Sequence, residues 1–155
     1  MKKLIIFTIV SALSLTVAET MAATDTGDLE VRANVIETCR VTSTSNVDFG
    51  NYDPTAPNPN IAGQGFGRLR CTKGTTAAIY IVRDNIMSDG TDSLPYELYS
   101  DAARTSAFPT ELADALPYTA LTNAVEQIDI YGAIPAREDV QAGIYVDQVT
   151  FTVEY

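Results

Sequence analysis

The stretch QVTFTVEY at residues 148–155 decides the fold of this chain. Its polar residues alternate with apolar Val149, Phe151, Val153 and Tyr155. This period of two is typical of a β-strand with one buried face. No turn or cap follows the stretch. Because an apolar strand with unpaired backbone promotes aggregation, soluble proteins normally cover it, and we expect another strand beside this one.

A second amphipathic stretch lies near the other end of the chain, at residues 28–35. Its apolar residues Leu29, Val31, Ala33 and Val35 alternate with charged or polar ones. It has few strand candidates close to it in sequence. Two interpretations are open: the two strands pair within one monomer, or this strand is donated to another copy and the chain polymerises.

Residues 1–23 are typical of a secretory signal peptide. Lys2 and Lys3 precede an apolar run at 4–17, and small residues at 18–23 suggest cleavage after Ala22 or Ala23. The run is shorter than the roughly 20 residues of a spanning helix, which disfavours a membrane anchor. Removing 23 of 155 residues leaves 132, enough for one exported domain with a core.

The mature chain is strongly acidic. Without Lys2, Lys3 and Glu19, the 10 basic and 20 acidic residues become 8 and 19, a net charge of −11. Such a field attracts neither nucleic acid nor an anionic membrane, so we expect no nucleic-acid partner and no direct membrane insertion. The acidic residues are scattered along the chain, which is typical of a solvated surface.

The chain has two cysteines, Cys39 and Cys71, and no histidine. In an oxidising compartment a disulfide is expected, closing a loop of 33 residues counted through both cysteines and stabilising by roughly 3 to 4 kcal/mol. The alternative, a free reactive thiol, would require a nearby base. Without histidine, Ser-His-Asp and Cys-His catalytic systems and the usual zinc sites are excluded, and we expect no catalytic residues, metal or cofactor.

Runs of β-forming residues recur between glycine and proline turn signals. These runs are residues 29–35, 38–42, 47–49, 65–72, 77–83, 96–99, 125–134 and 144–155. Several short strands at this spacing predict an all-β sandwich in one domain. Residues 107–122 are interpreted as a loop or weak strand.

Carboxylates offer two weak functional signals. The segment SDGTD at 88–92 is either a calcium loop or a surface turn. The turn is favoured, because Asp-Gly is a turn dipeptide and the closing Glu of an EF-hand is missing. A glycosidase needs two carboxylates across a cleft, and nothing in the sequence singles out such a pair.

Six segments carry a family resemblance. They are CRV at 39–41, VDFGNYDP at 47–54, RCTKG at 70–74, YELYSDAAR at 96–104, IYGAIP at 130–135 and AGIYVD at 142–147. In this order they resemble the spore coat U domain family, whose best-understood members are pilins of archaic, Csu-type chaperone–usher pili. Within them, Phe49-Gly50 indicates a buried aromatic beside a glycine-dependent backbone, and Gly132 indicates a bulge or a close approach.

The resemblance implies an incomplete immunoglobulin-like β-sandwich that lacks its seventh strand. Its groove would be filled first by a periplasmic chaperone and then by the N-terminal segment of the next subunit, a form of β-augmentation. The implied organisation is a signal peptide at 1–23, a donor-strand segment at 24–36 and a pilin domain at 37–155. The donor residues are Leu29, Val31, Ala33 and Val35.

The same resemblance implies the residues of the groove and the chaperone contact. They are Gly143, Tyr145, Val149, Phe151, Val153 and Tyr155. Gly143 and Tyr155 are twelve residues apart, the spacing of a Gly and a near-terminal Tyr in pilins of this superfamily.

The implied function is that of a structural subunit of an extracellular pilus of a Gram-negative bacterium, supporting adhesion and biofilm formation. Its partners would be a periplasmic chaperone, an outer-membrane usher and identical or related subunits. The alternatives are a surface-binding tip module of the same fold, a coat protein of spores or dormant cells and, more distantly, a hydrolase.

Overall fold

The computed structural model describes residues 21–155, and the chain divides into two units after Asn34. The predicted signal peptide lies almost entirely outside the described residues and stays a prediction. Residues 21–38 have no regular secondary structure. The stretch 29–35, expected as a strand, therefore forms none in this structure.

The second unit, residues 35–155, is built from nine strands and one 3-10 turn. The strands are β1 (Cys39–Asp48), β2 (Gln64–Cys71), β3 (Thr76–Val82), β4 (Ile86–Ser88), β5 (Ser93–Pro95), β6 (Glu97–Tyr99), β7 (Leu116–Thr119), β8 (Glu126–Ala133) and β9 (Thr150–Glu154), and the 3-10 turn is Leu112–Asp114. They form a four-stranded sheet, β1-β2-β8-β6, a three-stranded sheet, β7-β3-β9, and a β4–β5 hairpin. This unit is thus all-β, an incomplete immunoglobulin-like sandwich.

Alternating burial along the strands shows why the two sheets pack together. In β3, Ala77, Ile79 and Ile81 are buried while the residues between them are more exposed. In β8, Ile130 and Gly132 are buried in the same alternating manner. The inner faces of both sheets therefore supply one core, whose fully buried side chains include Leu69, Ile79, Ile81, Leu98, Phe108 and Ile134.

Two glycines make room for one aromatic ring. A Cβ atom at Gly63 or at Gly132 would lie 2.5 Å from the ring of Phe49. Phe49 is buried, and Gly50 after it has a φ of +63°, a conformation that favours glycine. The predicted close approach at Gly132 and the predicted Phe49-Gly50 arrangement are both confirmed.

Several predicted boundaries require correction. The runs 38–42 and 47–49, apart from residues 38 and 49, belong to one strand, β1, which stays paired with β2 across two irregularities in register. The terminal strand is shorter than the predicted 144–155, and before it only Val146 forms an isolated bridge, to Ser88. The region 107–122 contains the weak strand β7 and the 3-10 turn, and the SDGTD segment is the turn between β4 and β5. Asp89 stabilises that turn, because its carboxylate accepts hydrogen bonds from the backbone N–H groups of Thr91 and Asp92.

Candidate functional site

Strand β9 is paired along one edge only. It forms an antiparallel ladder with β3, from Val82 opposite Thr150 to Ala78 opposite Glu154. Within residues 35–155, the other edge of β9 has no strand partner. Its outward-pointing backbone N–H and C=O groups are therefore free to pair with an added strand.

The side chains of β9 show that its apolar face is only partly covered. Phe151 lies opposite Ile81 and Val153 opposite Ile79, so each pair projects to the same side of the sheet. Both isoleucines are 1% exposed, whereas Phe151 and Val153 are half-buried. The inward-facing isoleucines of β3 are thus fully covered, whereas the apolar side chains of the neighbouring strand β9 are only partly covered.

The opposite wall of this opening is β1, the edge strand of the first sheet. Val41 pairs with Leu69, which is fully buried, yet Val41 itself is 44% exposed. Strands β1 and β9 lie beside each other. We call the partly exposed apolar side chains of these two edge strands, Val41, Phe151 and Val153, the acceptor groove, after the role proposed for them below.

The remaining groove residues proposed from the sequence lie along and before β9. Val149 and Tyr155 share the period of Phe151 and Val153 and are 39% and 62% exposed. Tyr145 is half-buried, and its hydroxyl donates a hydrogen bond to the carbonyl of Gln141 (3.0 Å). Gly143 lies against the β4–β5 turn, since a Cβ there would be 2.7 Å from Oδ2 of Asp89. Residues 150–154 thus form the edge strand, Val149 and Tyr155 flank it, and Gly143 and Tyr145 belong to the segment that leads into it.

One buried hydrogen bond anchors that leading segment. The Tyr96 hydroxyl donates to Oδ2 of Asp147 (2.5 Å), and Tyr96 is 6% exposed. Burial, followed by the bond to the Asp147 carboxylate, raises the pKa of Tyr96 well above its ordinary value. Three residues after Asp147, β9 begins, so this bond positions the start of the groove wall.

The predicted donor residues are exposed. Leu29 and Val31 are each 87% exposed and Val35 is 79% exposed, with Ala33 exposed between them. Three large apolar side chains on one face of this stretch are therefore left in contact with water.

The predicted disulfide is present. Cys39 and Cys71 are bonded, and they are opposite each other at the first rung of the β1–β2 ladder. Both are buried. The bond therefore fixes the start of β1, the strand that forms one wall of the acceptor groove.

A shallow cavity of about 460 Å³ beside β7 and β8 is lined by two acidic residues and is therefore the candidate for a pair of catalytic carboxylates. Of its two acids, Asp101 accepts hydrogen bonds from the backbone N–H groups of Ser106 and Thr105, which hold its pKa below the ordinary range. The Asp101 carboxylate therefore stabilises the turn that follows it through these hydrogen bonds. Among residues 21–155, no group of three or more acidic, Cys or His side chains is placed to hold a metal ion.

The described part of the chain contains no helix whose length and apolar character would let it span a membrane.

Comparison with known proteins places the chain in a family. The family model described as Spore Coat Protein U domain matches residues 25–152. Protein U of Myxococcus xanthus is 30% identical over 157 residues, covering 86% of this chain and 87% of that protein.

A solved structure shares the fold. It is described as the CsuC–CsuE chaperone–tip adhesion subunit pre-assembly complex from archaic chaperone–usher Csu pili of Acinetobacter baumannii. The likeness has a TM-score of 0.50 and 18% identity and covers 78% of this chain and 40% of that one. Since the family model spans most of the chain and a relative is 30% identical over most of its length, the chain belongs to the Spore Coat Protein U domain family.

Proposed function

We propose that this chain is a structural subunit of an extracellular pilus, assembled by donor-strand complementation through the chaperone–usher pathway. One observation carries the proposal: Phe151 and Val153, on the open edge of β9, are half-buried beside fully buried isoleucines of β3. A strand from another chain would both pair with the free backbone edge and cover these side chains. The role is mechanical and assigns no residue to catalysis.

The donor segment is the natural occupant of the acceptor groove in a second copy. Leu29, Val31 and Val35 would each gain roughly 1.5 to 3 kcal/mol on burial, in total on the order of 5 to 9 kcal/mol before ordering entropy is subtracted. A row of backbone hydrogen bonds would add about 1 kcal/mol apiece. Such a joint would be slow to open, as a surface fibre requires.

The partners follow from the exposed groove. A subunit with an open apolar edge needs a temporary cover before assembly, and the family and fold support a periplasmic chaperone in that role, followed by an outer-membrane usher and further subunits. The route would lead through the periplasm of a Gram-negative bacterium to the cell surface, where the fibre would support adhesion and biofilm formation.

The proposal is tested by a charge on the donor strand. Val31→Asp would bury an unpaired carboxylate in the neighbouring groove, at a cost of several kcal/mol. We expect normal levels of chaperone-bound subunit in the periplasm and no surface fibres by electron microscopy. The matched control is Glu30→Lys, which alters only an exposed ion pair with Arg32 and should leave fibres intact. Normal fibres from Val31→Asp, or failure to reach the chaperone-bound state, would contradict the proposal.

A further inference from the structure

A group of unpaired cations lies at one end of the sandwich. Arg40 of β1 and Arg70 of β2 are directly opposite each other and both exposed, although like charges in that position destabilise a sheet. Lys73, also exposed, follows β2 at the same end. Within residues 21–155 the ion pairs are Arg32–Glu30 and Arg83–Glu97, so these three cations have no acidic partner. We call them the basic pole.

The opposite end of the sandwich is acidic. Strand β3 begins at Thr76, just after Lys73, and ends at Val82, just before Asp84. Beyond that end lie the β4–β5 turn, with Asp89 and Asp92, and the neighbouring Asp139. Asp92 contacts the segment that contains Asp139, because its carboxylate accepts a hydrogen bond from the backbone N–H of Gln141 (3.0 Å). We call Asp84, Asp89, Asp92 and Asp139 the acidic pole.

Backbone hydrogen bonds favour the charged form of Asp89 in the acidic pole. Asp89 accepts hydrogen bonds from the N–H groups of Asp92 and Thr91, and these bonds lower its pKa. The carboxylates of Asp89 and Asp92, after desolvation, also raise the pKa of Tyr145, which shows that both act on the same region. The chain thus carries opposite charges at the two ends of β3.

The direction of the donor strand would bring these two ends together. Every ladder in the structure is antiparallel. A donor strand that continues this pattern beside β9 would end, at Val35, near Thr150 and the acidic pole of the receiving subunit. Only residues 36–38 separate Val35 from Cys39, where β1 and the basic pole of the donating subunit begin. The four residue steps from Val35 to Cys39 span at most about 14 Å.

We propose that the basic pole of each subunit docks against the acidic pole of the subunit that receives its donor strand. This inference rests on the proposed function and adds a second, electrostatic contact to each joint. A reach of about 14 Å is comparable to the screening length below about 0.1 M salt, so the contact should steer assembly and weaken as salt rises. The interface is heterologous, with two different surfaces meeting, and therefore propagates as a fibre.

A charge swap tests the inference. Subunits co-purified with their chaperone are allowed to polymerise, and polymer is followed by light scattering between about 0.05 and 0.5 M NaCl. Arg40→Glu with Arg70→Glu should slow assembly at low salt by at least about tenfold. Asp84→Arg with Asp139→Arg should do the same. Combining all four substitutions gives the two poles net charges of −1 and 0, which removes the repulsion present in Arg40→Glu/Arg70→Glu and should restore part of the lost rate.

The control is Arg137→Glu, an exposed residue whose reversal changes net charge as much as Arg40→Glu does without touching the basic pole. Because position 137 is two residues from Asp139 of the acidic pole, an added negative charge there should not slow assembly. Equal slowing by Arg137→Glu and Arg40→Glu, or no rescue in the combined variant, would overturn the inference. So would unchanged assembly of Arg40→Glu/Arg70→Glu together with lost binding to a polyuronate, since the basic pole would then serve a polyanion. If wild-type subunits form no polymer at any salt concentration, the proposed function itself fails.

Discussion

The ring of Phe151 occupies the space into which a side chain at residue 67 would project. A Cβ atom at Gly67 would lie 2.5 Å from Cζ of that ring. Phe151 belongs to β9 of one sheet and Gly67 to β2 of the other. This contact therefore joins the two sheets at the wall of the acceptor groove.

Gly67→Ala should destabilise the fold by about 1 to 3 kcal/mol, because the added methyl group overpacks this contact. Variant and wild-type chains are compared in the same purified form by urea unfolding. Gly27→Ala, where nothing lies within 4 Å of the added Cβ, should be neutral. The double variant with Phe151→Leu should recover part of the loss, and strict additivity of the two substitutions would argue against the contact.

Loss of the disulfide should lower the free energy of unfolding by roughly 3 to 4 kcal/mol, because the unfolded chain regains the entropy of an open loop. The variant is Cys39→Ser with Cys71→Ser, measured by urea unfolding with and without dithiothreitol. Reductant should bring the wild type to the level of the variant and leave the variant unchanged. A wild type insensitive to reductant after full reduction, verified by mass, would contradict the prediction.

Stability should fall at alkaline pH through Tyr96. Burial and the bond to Asp147 raise the pKa of Tyr96 above its ordinary value of 10.0, so the folded chain retains a proton that the unfolded chain releases. The resulting stabilisation is fully present below about pH 10 and is lost as the pH rises beyond it. Tyr96→Phe should flatten this alkaline decline in urea-unfolding measurements. An equally steep decline in Tyr96→Phe would assign it to other groups.

Thr75→Val should stabilise the chain by about 1 kcal/mol. Thr75 is 1% exposed, and within the described residues its hydroxyl has no hydrogen-bond partner. Valine has nearly the same shape and carries no polar atom that must be desolvated. Thr75→Ser, which keeps the hydroxyl and loses the methyl group, should destabilise in the same thermal-unfolding experiment. A destabilised Thr75→Val would indicate that the hydroxyl is satisfied in solution.

Alternation of polar and apolar residues in the sequence was sufficient to predict most strands, but not where each strand begins and ends. The strand predicted at 77–83 matches β3 within a residue at each end, because alternating Ala77, Ile79 and Ile81 face the core. The β4–β5 hairpin was missed, since each of its strands has only three residues and no periodicity can be detected over that length. The terminal strand was predicted seven residues too long, because the apolar β-forming residues at 144–146 and 149 favour a strand but do not belong to a ladder.

Of the candidate site, the sequence predicted one wall. The period of two from Val149 to Tyr155 placed Phe151 and Val153 on one face. The second wall, Val41, carried no distinguishing signal, because its exposure depends on the position of β1 at the edge of its sheet. The separation of basic and acidic residues to opposite ends of the sandwich could not be predicted from the sequence either. Lys73 and Asp84 are close in sequence, but they lie at opposite ends of β3.

The sequence by itself determined the local and pairwise features of this protein: the strand periods, the disulfide and the acidic charge follow from residue types and their spacing. The tertiary structure alone decided which strand edges stay open and which distant groups meet. Arg83 shows the difference, because its buried guanidinium donates hydrogen bonds to Glu97 (2.7 Å) and to the carbonyl of Phe108 (2.8 Å), 14 and 25 residues away. Such partners are chosen by the order of strands in the sheets, and that order minimises exposed apolar area over the whole chain rather than within any one segment.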